Sequence, residues 1–345
     1  MYSKVTLFSQ DTIDCFVKLI KDASRVAIVC HMTPDGDALG SSLCLCHTLR
    51  NMGLRADVVT PDQPPRTLSF LPGAREITVA SYQQERARRI LDAANVVFCL
   101  DFNDLKRIDR LAPMVDATNA KRIVIDHHLN PSIEADLLVS HPEKSSTCLL
   151  LYMILEAAGF AEFINTDAAT CCCAGIMTDT GNCAYNANDP DLYIVLGNLM
   201  KLGVDKNALY DRLFNSNTLS RLRIMGYCQY ERMHLLEKHH CALITLSLDE
   251  AREFGYNKGD TEGLVNIPLS IPGVVYSIYL RQDEENYVKV SMRSKGDFSV
   301  KELCEQHFGG GGHHNAAGGE LHCSLTEAVS RVLALVEEVS ATTDF

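Results

Sequence analysis

Three short apolar runs in this chain each stop at a residue that can bind a proton or a metal ion. Arg25-Val26-Ala27-Ile28-Val29-Cys30 leads into His31-Met32-Thr33-Pro34-Asp35-Gly36-Asp37. Asn95-Val96-Val97-Phe98-Cys99-Leu100 leads into Asp101, and Lys121-Arg122-Ile123-Val124-Ile125 into Asp126-His127-His128. A fourth group, Met177-Thr178-Asp179-Thr180-Gly181, closes a cysteine-rich helical stretch with another carboxylate. Taken singly, each has an ordinary explanation: an Asp after a strand is commonly a turn former or a cap, and a His pair is commonly surface or core. Together they bring several carboxylates to one place without basic residues, and such groups repel one another unless cations sit among them. Carboxylates with a few imidazoles suit manganese or magnesium, whereas structural zinc would call for thiolates. There are enough ligands for two ions, in the bridged arrangement, roughly 3.5–4 Å apart, of hydrolytic phosphatases and nucleases.

The elements that must position these groups read as an α/β fold. Short buried runs separated by helices indicate a parallel sheet, and the carboxyl ends of its strands form the ligand crevice. The spacing predicts a helix from about Gly36 to Met52 with Gly53 just past its end. Ser145 or Ser146 is expected to cap a helix ending near Gly159, Asp167 another running toward Thr178, and Asp189-Pro190 a third closed by Gly203. A long polar helix is predicted from about Asn217 to Lys238. The pattern then changes to strands at His240–Ser247, Val274–Arg281 and Tyr287–Arg293, a glycine cluster at Gly309–Gly312, and a last helix from about Leu325. The expected organisation is therefore residues 1–205 with all the metal-ligand candidates, a helical linker over 206–238, and a smaller α/β domain over 239–345.

Composition narrows the function. With 345 residues and 46% hydrophobic content the chain is long enough for two domains. A formal charge of −12 argues against gripping long duplexes, which takes many Lys/Arg–phosphate contacts. A small phosphorylated substrate held by a few groups and metal ions remains compatible. The 14 cysteines form no CxxC pair and lie mostly in apolar stretches, as buried free thiols of a reducing cytoplasm do. The N-terminus lacks the apolar stretch of a signal peptide, and no run is long enough to span a membrane.

His31-x-x-x-Asp35-x-Asp37, Asp101, Asp126-His127-His128 and Asp179-Thr180-Gly181 resemble, in order, the four motifs of the DHH phosphoesterase superfamily. Phe308-Gly309-Gly310-Gly311-Gly312-His313-His314-Asn315-Ala316-Ala317-Gly318 resembles the glycine-rich signature of its associated C-terminal domain. Length and order are most similar to the oligoribonuclease (nanoRNase) and 3′-phosphoadenosine 5′-phosphate phosphatase subgroup. The resemblance implies that His31 and Asp35 hold one ion, that Asp37, His127 and Asp179 hold the other, and that Asp101 bridges both. It implies that Asp126 orients His127 from behind and that His128 faces the substrate phosphate or leaving oxygen. Arg293, Gly310, Gly311, Gly312 and His313 are implied to bind the substrate, by bidentate phosphate recognition and by backbone amides. The two ions are expected to be manganese first, with magnesium or cobalt as alternatives. The active site is expected in a cleft between the two domains. After Asp179-Thr180-Gly181 the family often has a glycine and an aromatic residue, where this chain has Asn182 and Cys183, with Tyr185 nearby. Ser145-Ser146-Thr147 is read as a helix cap only.

The expected activity is metal-dependent hydrolysis of very short RNA, pApA included, to mononucleotides, and of 3′-phosphoadenosine 5′-phosphate. The expected partners are short single-stranded RNA or a mononucleotide bisphosphate, with no long duplex and no membrane; the family's habit of pairing leaves room for a homodimer. Other readings are a phosphodiesterase dedicated to linear or cyclic dinucleotides and a nucleotide-binding regulatory module without turnover. The module should have lost ligands, yet all six candidate positions are His or Asp.

Overall fold

The computed structural model describes residues 7–215 and 217–343, which divide into two compact units at the Ser216–Asn217 junction. The first unit contains α1 (Gln10–Lys21), β1 (Arg25–Cys30), α2 (Gly36–Asn51), β2 (Arg55–Thr60), β3 (Thr78–Val79), α3 (Gln84–Ala93), β4 (Val96–Leu100), α4 (Ala112–Ala117), β5 (Lys121–Asp126), β6 (Leu137–Ser140), α5 (Thr147–Ala157), α6 (Thr166–Asp179), α7 (Pro190–Lys201) and α8 (Lys206–Phe214). Every strand pairing here is parallel, in the order β3-β2-β1-β4-β5-β6. The order reverses at β1, so the crevice of this doubly wound sheet opens where β1 and β4 end.

Alternate residues of β1 enter two cores. Val26 and Ile28 pack with Phe16, Leu39, Leu150 and Ile176 of α1, α2, α5 and α6. Ala27 and Val29 pack with Leu91 of α3 and Val115 of α4 on the other face. Both faces are covered, which is why these strands are apolar throughout. Helix α2 is itself buried on nearly every side and packs closely on α6. Gly175 permits that approach, since a Cβ there would strike Cys148 Sγ and lie 3.0 Å from Asp37 Oδ1.

The helix starts around the crevice follow side-chain capping. Asp35 Oδ1 accepts from the amides of Asp37 and Ala38, each at 3.0 Å, at the head of α2, and Gly53 lies past its end with φ 89°. Ser146 caps α5, and Asp189 caps α7 with Pro190 following. The cap of α6 is Asn165 rather than Asp167: Asn165 Oδ1 takes the Ala168 amide at 2.9 Å, and Asp167 instead places its charge beside the positive end of the helix dipole.

The second unit contains α9 (Leu219–Glu231), β7 (Met233–Leu236), β8 (Cys241–Leu246), α10 (Leu248–Glu253), β9 (Tyr276–Glu284), β10 (Tyr287–Ser294), α11 (Val300–His307), β11 (Gly311–His313), β12 (Ala316–Leu321) and α12 (Leu325–Thr342). Its sheet runs β11-β12-β10-β9-β8-β7, antiparallel except between β8 and β9. Val332 and Val336 of α12 cover one face with Ile278 and Val290, while Ile224 and Cys228 of α9 meet Ile244 and Leu246 on the other. The helix expected to reach Lys238 stops at Glu231, because residues 233–236 find a backbone ladder along β8. The glycine cluster likewise enters the sheet: Gly311 and Gly312 pair with Gly318 and Ala317.

All fourteen cysteines are free thiols, and all but Cys15 and Cys183 are buried. Among the described residues no helix is long and apolar enough to cross a membrane.

Candidate metal centre

The ends of β1, β4 and β5 and the last residue of α6 converge at the crevice of the first sheet. Three sets of ligand atoms there each fall within 4.8 Å of one another: His31, Asp35 and Asp101; Asp37, His127 and Asp179; and Asp101, His127 and His128. His31 donates from Nδ1 to its neighbour's carbonyl, Met32 O, at 2.7 Å, which leaves Nε2 facing Asp101 Oδ2 at 3.4 Å and Asp35 Oδ1 at 3.8 Å. His127 is oriented in the same way, with Nδ1 against Lys144 O at 3.2 Å. Its Nε2 lies 3.3 Å from Asp179 Oδ2, 3.5 Å from Asp101 Oδ1 and 4.0 Å from Asp37 Oδ2. Asp101 therefore turns one oxygen toward each imidazole. It does so from a left-handed backbone (φ 64°) that is uncommon for a side-chain-bearing residue, held within a site where Asp101 is 2% exposed.

The head of α5 anchors the acids. Asp37 Oδ2 accepts from the Thr147 amide at 2.6 Å and Oδ1 from the Cys148 amide at 2.8 Å, so the first turn of the helix grips the carboxylate. The Thr147 hydroxyl donates to Asp101 Oδ1 at 3.0 Å. Burial, then the charge of Asp101, pushes Asp37 well above the usual carboxylate range; burial, then Asp37 and Asp101, does the same to Asp179. Burial alone would raise Asp101 too, but His31 and His127 outweigh it and hold it below that range. Burial opposes a charge on His31, yet Asp101 and Asp35 push it up to about 10. Carboxylates crowded in this way repel one another unless a cation sits among them. Four carboxylates and three imidazoles, with no thiolate among them, form a donor set that fits divalent ions preferring oxygen and nitrogen.

Asp126 does not orient His127. Its Oδ1 accepts from His128 Nδ1 at 2.7 Å, while its Oδ2 is buried with no hydrogen-bond partner. The reason is directional: the Nδ1 of His127 is already turned to the Lys144 carbonyl, and that of His128 is the one that returns toward the end of β5. On its far side His128 Nε2 lies 3.0 Å from Arg107 Nη1. A guanidinium only donates, so Nε2 accepts and Nδ1 carries the proton.

In the second unit, Arg293 sits at the end of β10 in register with Ala316 of β12, which in turn pairs with His313 of β11. Directly paired residues project to the same side, so Arg293 and His313 lie on one face, with Ala316 between them. Arg293 is half-buried, has no carboxylate partner among the described residues, and is lowered by that burial. Its Nη1 donates to Met292 O at 2.9 Å. Gly310 is a packing glycine, since a Cβ there would collide with Gly318 O. Gly311 and Gly312 lie on an edge strand, whose outer backbone groups are unpaired within the sheet.

Four contributors stand outside the residues singled out from the sequence. Thr147 and Lys144 act across long stretches of chain, and Arg107 lies in a short 3-10 helix (Leu105–Leu111) that is kinked at Asp109. Asp62 accepts the Thr33 amide at 2.7 Å and so fixes the loop after β1. It had a signal, since Thr60-Pro61-Asp62 ends β2 as Asp101 ends β4.

A model of the DHH family N-terminal domain matches residues 25–176, and one of the DHHA1 domain matches residues 241–342. The chain is 33% identical to a bifunctional oligoribonuclease and PAP phosphatase NrnA of Thermus thermophilus, covering 91% of this chain and 89% of that protein. It is 27% identical to the protein of the same name from Bacillus subtilis, over 89% of this chain and 92% of the relative. Among solved structures, an exopolyphosphatase-related protein from Bacteroides fragilis superposes with a TM-score of 0.95 at 39% identity, covering 98% of this chain and 99% of that one. With both domains matched in order and the four motif positions gathered at one crevice, the chain belongs to the DHH family of phosphoesterases.

Proposed function

We propose that this chain hydrolyses very short RNA oligonucleotides, pApA among them, to mononucleotides, and also dephosphorylates 3′-phosphoadenosine 5′-phosphate, using two divalent ions of which manganese is the working one. The observation that carries the reading is the orientation of Asp101, whose Oδ2 lies 3.4 Å from His31 and Oδ1 3.5 Å from His127. In this reading His31, Asp35 and Asp101 hold one ion, and Asp37, His127, Asp179 and Asp101 hold the other. When bound, such a pair acidifies water and neutralises charge on the phosphoryl group. The chain's own groups do the rest. Thr147 and the amides at the head of α5 keep Asp101 and Asp37 in place. Arg107 sets a permanent positive charge beside His128, so that the two face the phosphoryl or leaving oxygen together. Asp126 fixes the tautomer of His128. On the second unit, Arg293, His313 and the backbone of Gly311 and Gly312 would take a phosphate of the substrate, whereas the Gly310 amide is spent on the Cys304 carbonyl.

The substrate class is supported by the relatives named oligoribonuclease and PAP phosphatase, which this chain matches over most of their length. The buried free thiols suit a reducing cytoplasm. The test is product release from 5′-phosphorylated RNA of two nucleotides upward, 3′-phosphoadenosine 5′-phosphate, cyclic dinucleotides and polyphosphate, each with manganese and with chelator. Manganese-dependent mononucleotide from the shortest RNAs, and phosphate from the bisphosphate, support the reading. Turnover confined to polyphosphate or cyclic dinucleotides would overturn the substrate assignment, and turnover undiminished by chelator would overturn the ion assignment.

A further inference from the structure

A second charged cluster stands at the opposite end of the first sheet, and it is positive. Arg25 and Arg55 open β1 and β2 and pair in register, so their side chains leave one face of the sheet side by side. Arg86 and Arg89 lie one turn apart on α3. With Val26, Ile90 and Ala93 these four arginines line a pocket of about 370 Å³. The one acid in the lining, Asp57, is 3.8 Å from Arg50, which stands outside the pocket. None of the four guanidinium groups makes a hydrogen bond or an ion pair among the described residues. Glu85 and Asp92 of the same helix are not in the lining.

Like charges placed directly opposite each other work against strand pairing. In a chain whose formal charge is −12, four arginines against one aspartate around one concavity are a local reversal of sign. An anion would relieve this repulsion as a cation relieves that of clustered carboxylates. Guanidinium forks match phosphate oxygens bidentately. The volume falls within the range of small-molecule sites, roughly 300–1,000 Å³, and Val26, Ile90 and Ala93 add an apolar wall on which a ring can rest. We propose that this pocket binds a nucleotide carrying two or more phosphate groups. The site is separate from the metal centre: Arg25 and His31 stand at the two ends of β1, about 20 Å apart at about 3.3 Å per residue. It is an effector site in kind, since it contributes nothing to the crevice where β1 and β4 end.

The probes are ADP, adenosine and pyrophosphate, titrated calorimetrically into the full-length, ion-loaded protein and into the Arg86→Glu/Arg89→Glu and Arg86→Gln/Arg89→Gln variants. Any binding at the metal centre is common to all three proteins, so the difference between them reads the arginine pocket. Wild type should take up ADP saturably, at least tenfold more tightly than adenosine or pyrophosphate. Both variants should lose at least tenfold in ADP affinity, with turnover of pApA in the absence of ADP unchanged. Equal ADP binding by wild type and variants, or none by wild type, would overturn the site. Pyrophosphate binding as tightly as ADP would overturn the nucleotide assignment. The glutamine variant keeps side-chain size without reversing charge, so a folding defect of the glutamate variant does not decide the outcome.

Discussion

Replacing Thr147 by valine removes one hydroxyl and keeps the shape of the side chain. That hydroxyl donates to Asp101 Oδ1 at 3.0 Å in a fully buried position. The amide of Thr147, which holds Asp37 at 2.6 Å, is untouched by the change. The variant therefore isolates the support of the one carboxylate that faces both imidazoles. A hydrogen bond to a charged group contributes about 1.5–3 kcal/mol, and partners behind a metal ligand are typically worth about 10–100-fold in affinity. The two figures agree, since 1.4 kcal/mol corresponds to about a factor of ten. Thr147→Val should thus bind manganese about 10–100-fold more weakly by calorimetric titration, with turnover at limiting ion falling in step and recovering as ion is added. Thr147→Ser, which restores the donor, should return most of the affinity. A valine variant that is folded by circular dichroism and binds manganese as wild type does would refute the idea that Thr147 preorganises Asp101.

Asp101→Ala should abolish turnover while the protein remains folded and retains at most one ion, as metal analysis after gel filtration would record; full activity would sink the bridging role. Arg293→Ala should raise KM for short RNA about tenfold or more, with ion content unchanged, because it removes a charge-assisted phosphate contact. Lys144→Met leaves Asp189 and Asp191, now 2.7 and 3.0 Å from the ammonium, without their partner. The loss should fall at the lower end of the ~3–5 kcal/mol for breaking a buried pair, since both acids are partly exposed, and is measurable by urea unfolding. Stability of the ion-free protein should fall as pH rises. His31 is raised from 6.5 to about 10, so its contribution is fully present below pH 6.5 and is lost as pH climbs through about 10. Asp37 and Asp179 are raised as well and work in the same direction, while Asp101 is lowered and acts only in acid. Thermal melts across pH 6.5–10 with chelator should decline, and manganese should abolish that decline; equal slopes with and without ion would contradict it.

What the sequence disclosed and what it hid follow from the range of the interactions concerned. β1, β4 and β5 were readable because a strand buried on both faces is a short unbroken apolar run, and the first polar residue after it marks the crevice. Five of the ligand candidates follow such runs. Which atom faces which was not readable. Asp126 precedes His127 but bonds His128, because a strand end turns and side-chain direction, not adjacency, decides the partner. Thr147 meets Asp101 across 46 residues of chain, a separation at which no local pattern speaks. The stretch after Glu231 carried a helical composition, and only pairing with β8 makes 233–236 a strand. The caps divided on the same principle: Asp189 stood alone before its helix, whereas Ser145 stood beside Ser146, and Asn165 and Asp167 competed two residues apart.

The crossing of α2 and α6 has a bearing on how inherited variation in this chain should be interpreted. Gly175 carries no chemistry, yet a methyl group at that position would press on Cys148 and on the carboxylate of Asp37. A screen that scores every substitution by growth would therefore rank Gly175 with the acids themselves. Its intolerance would record the spacing of two helices rather than a part in hydrolysis, and the alanine variant at that position would mimic a lost ligand without altering one.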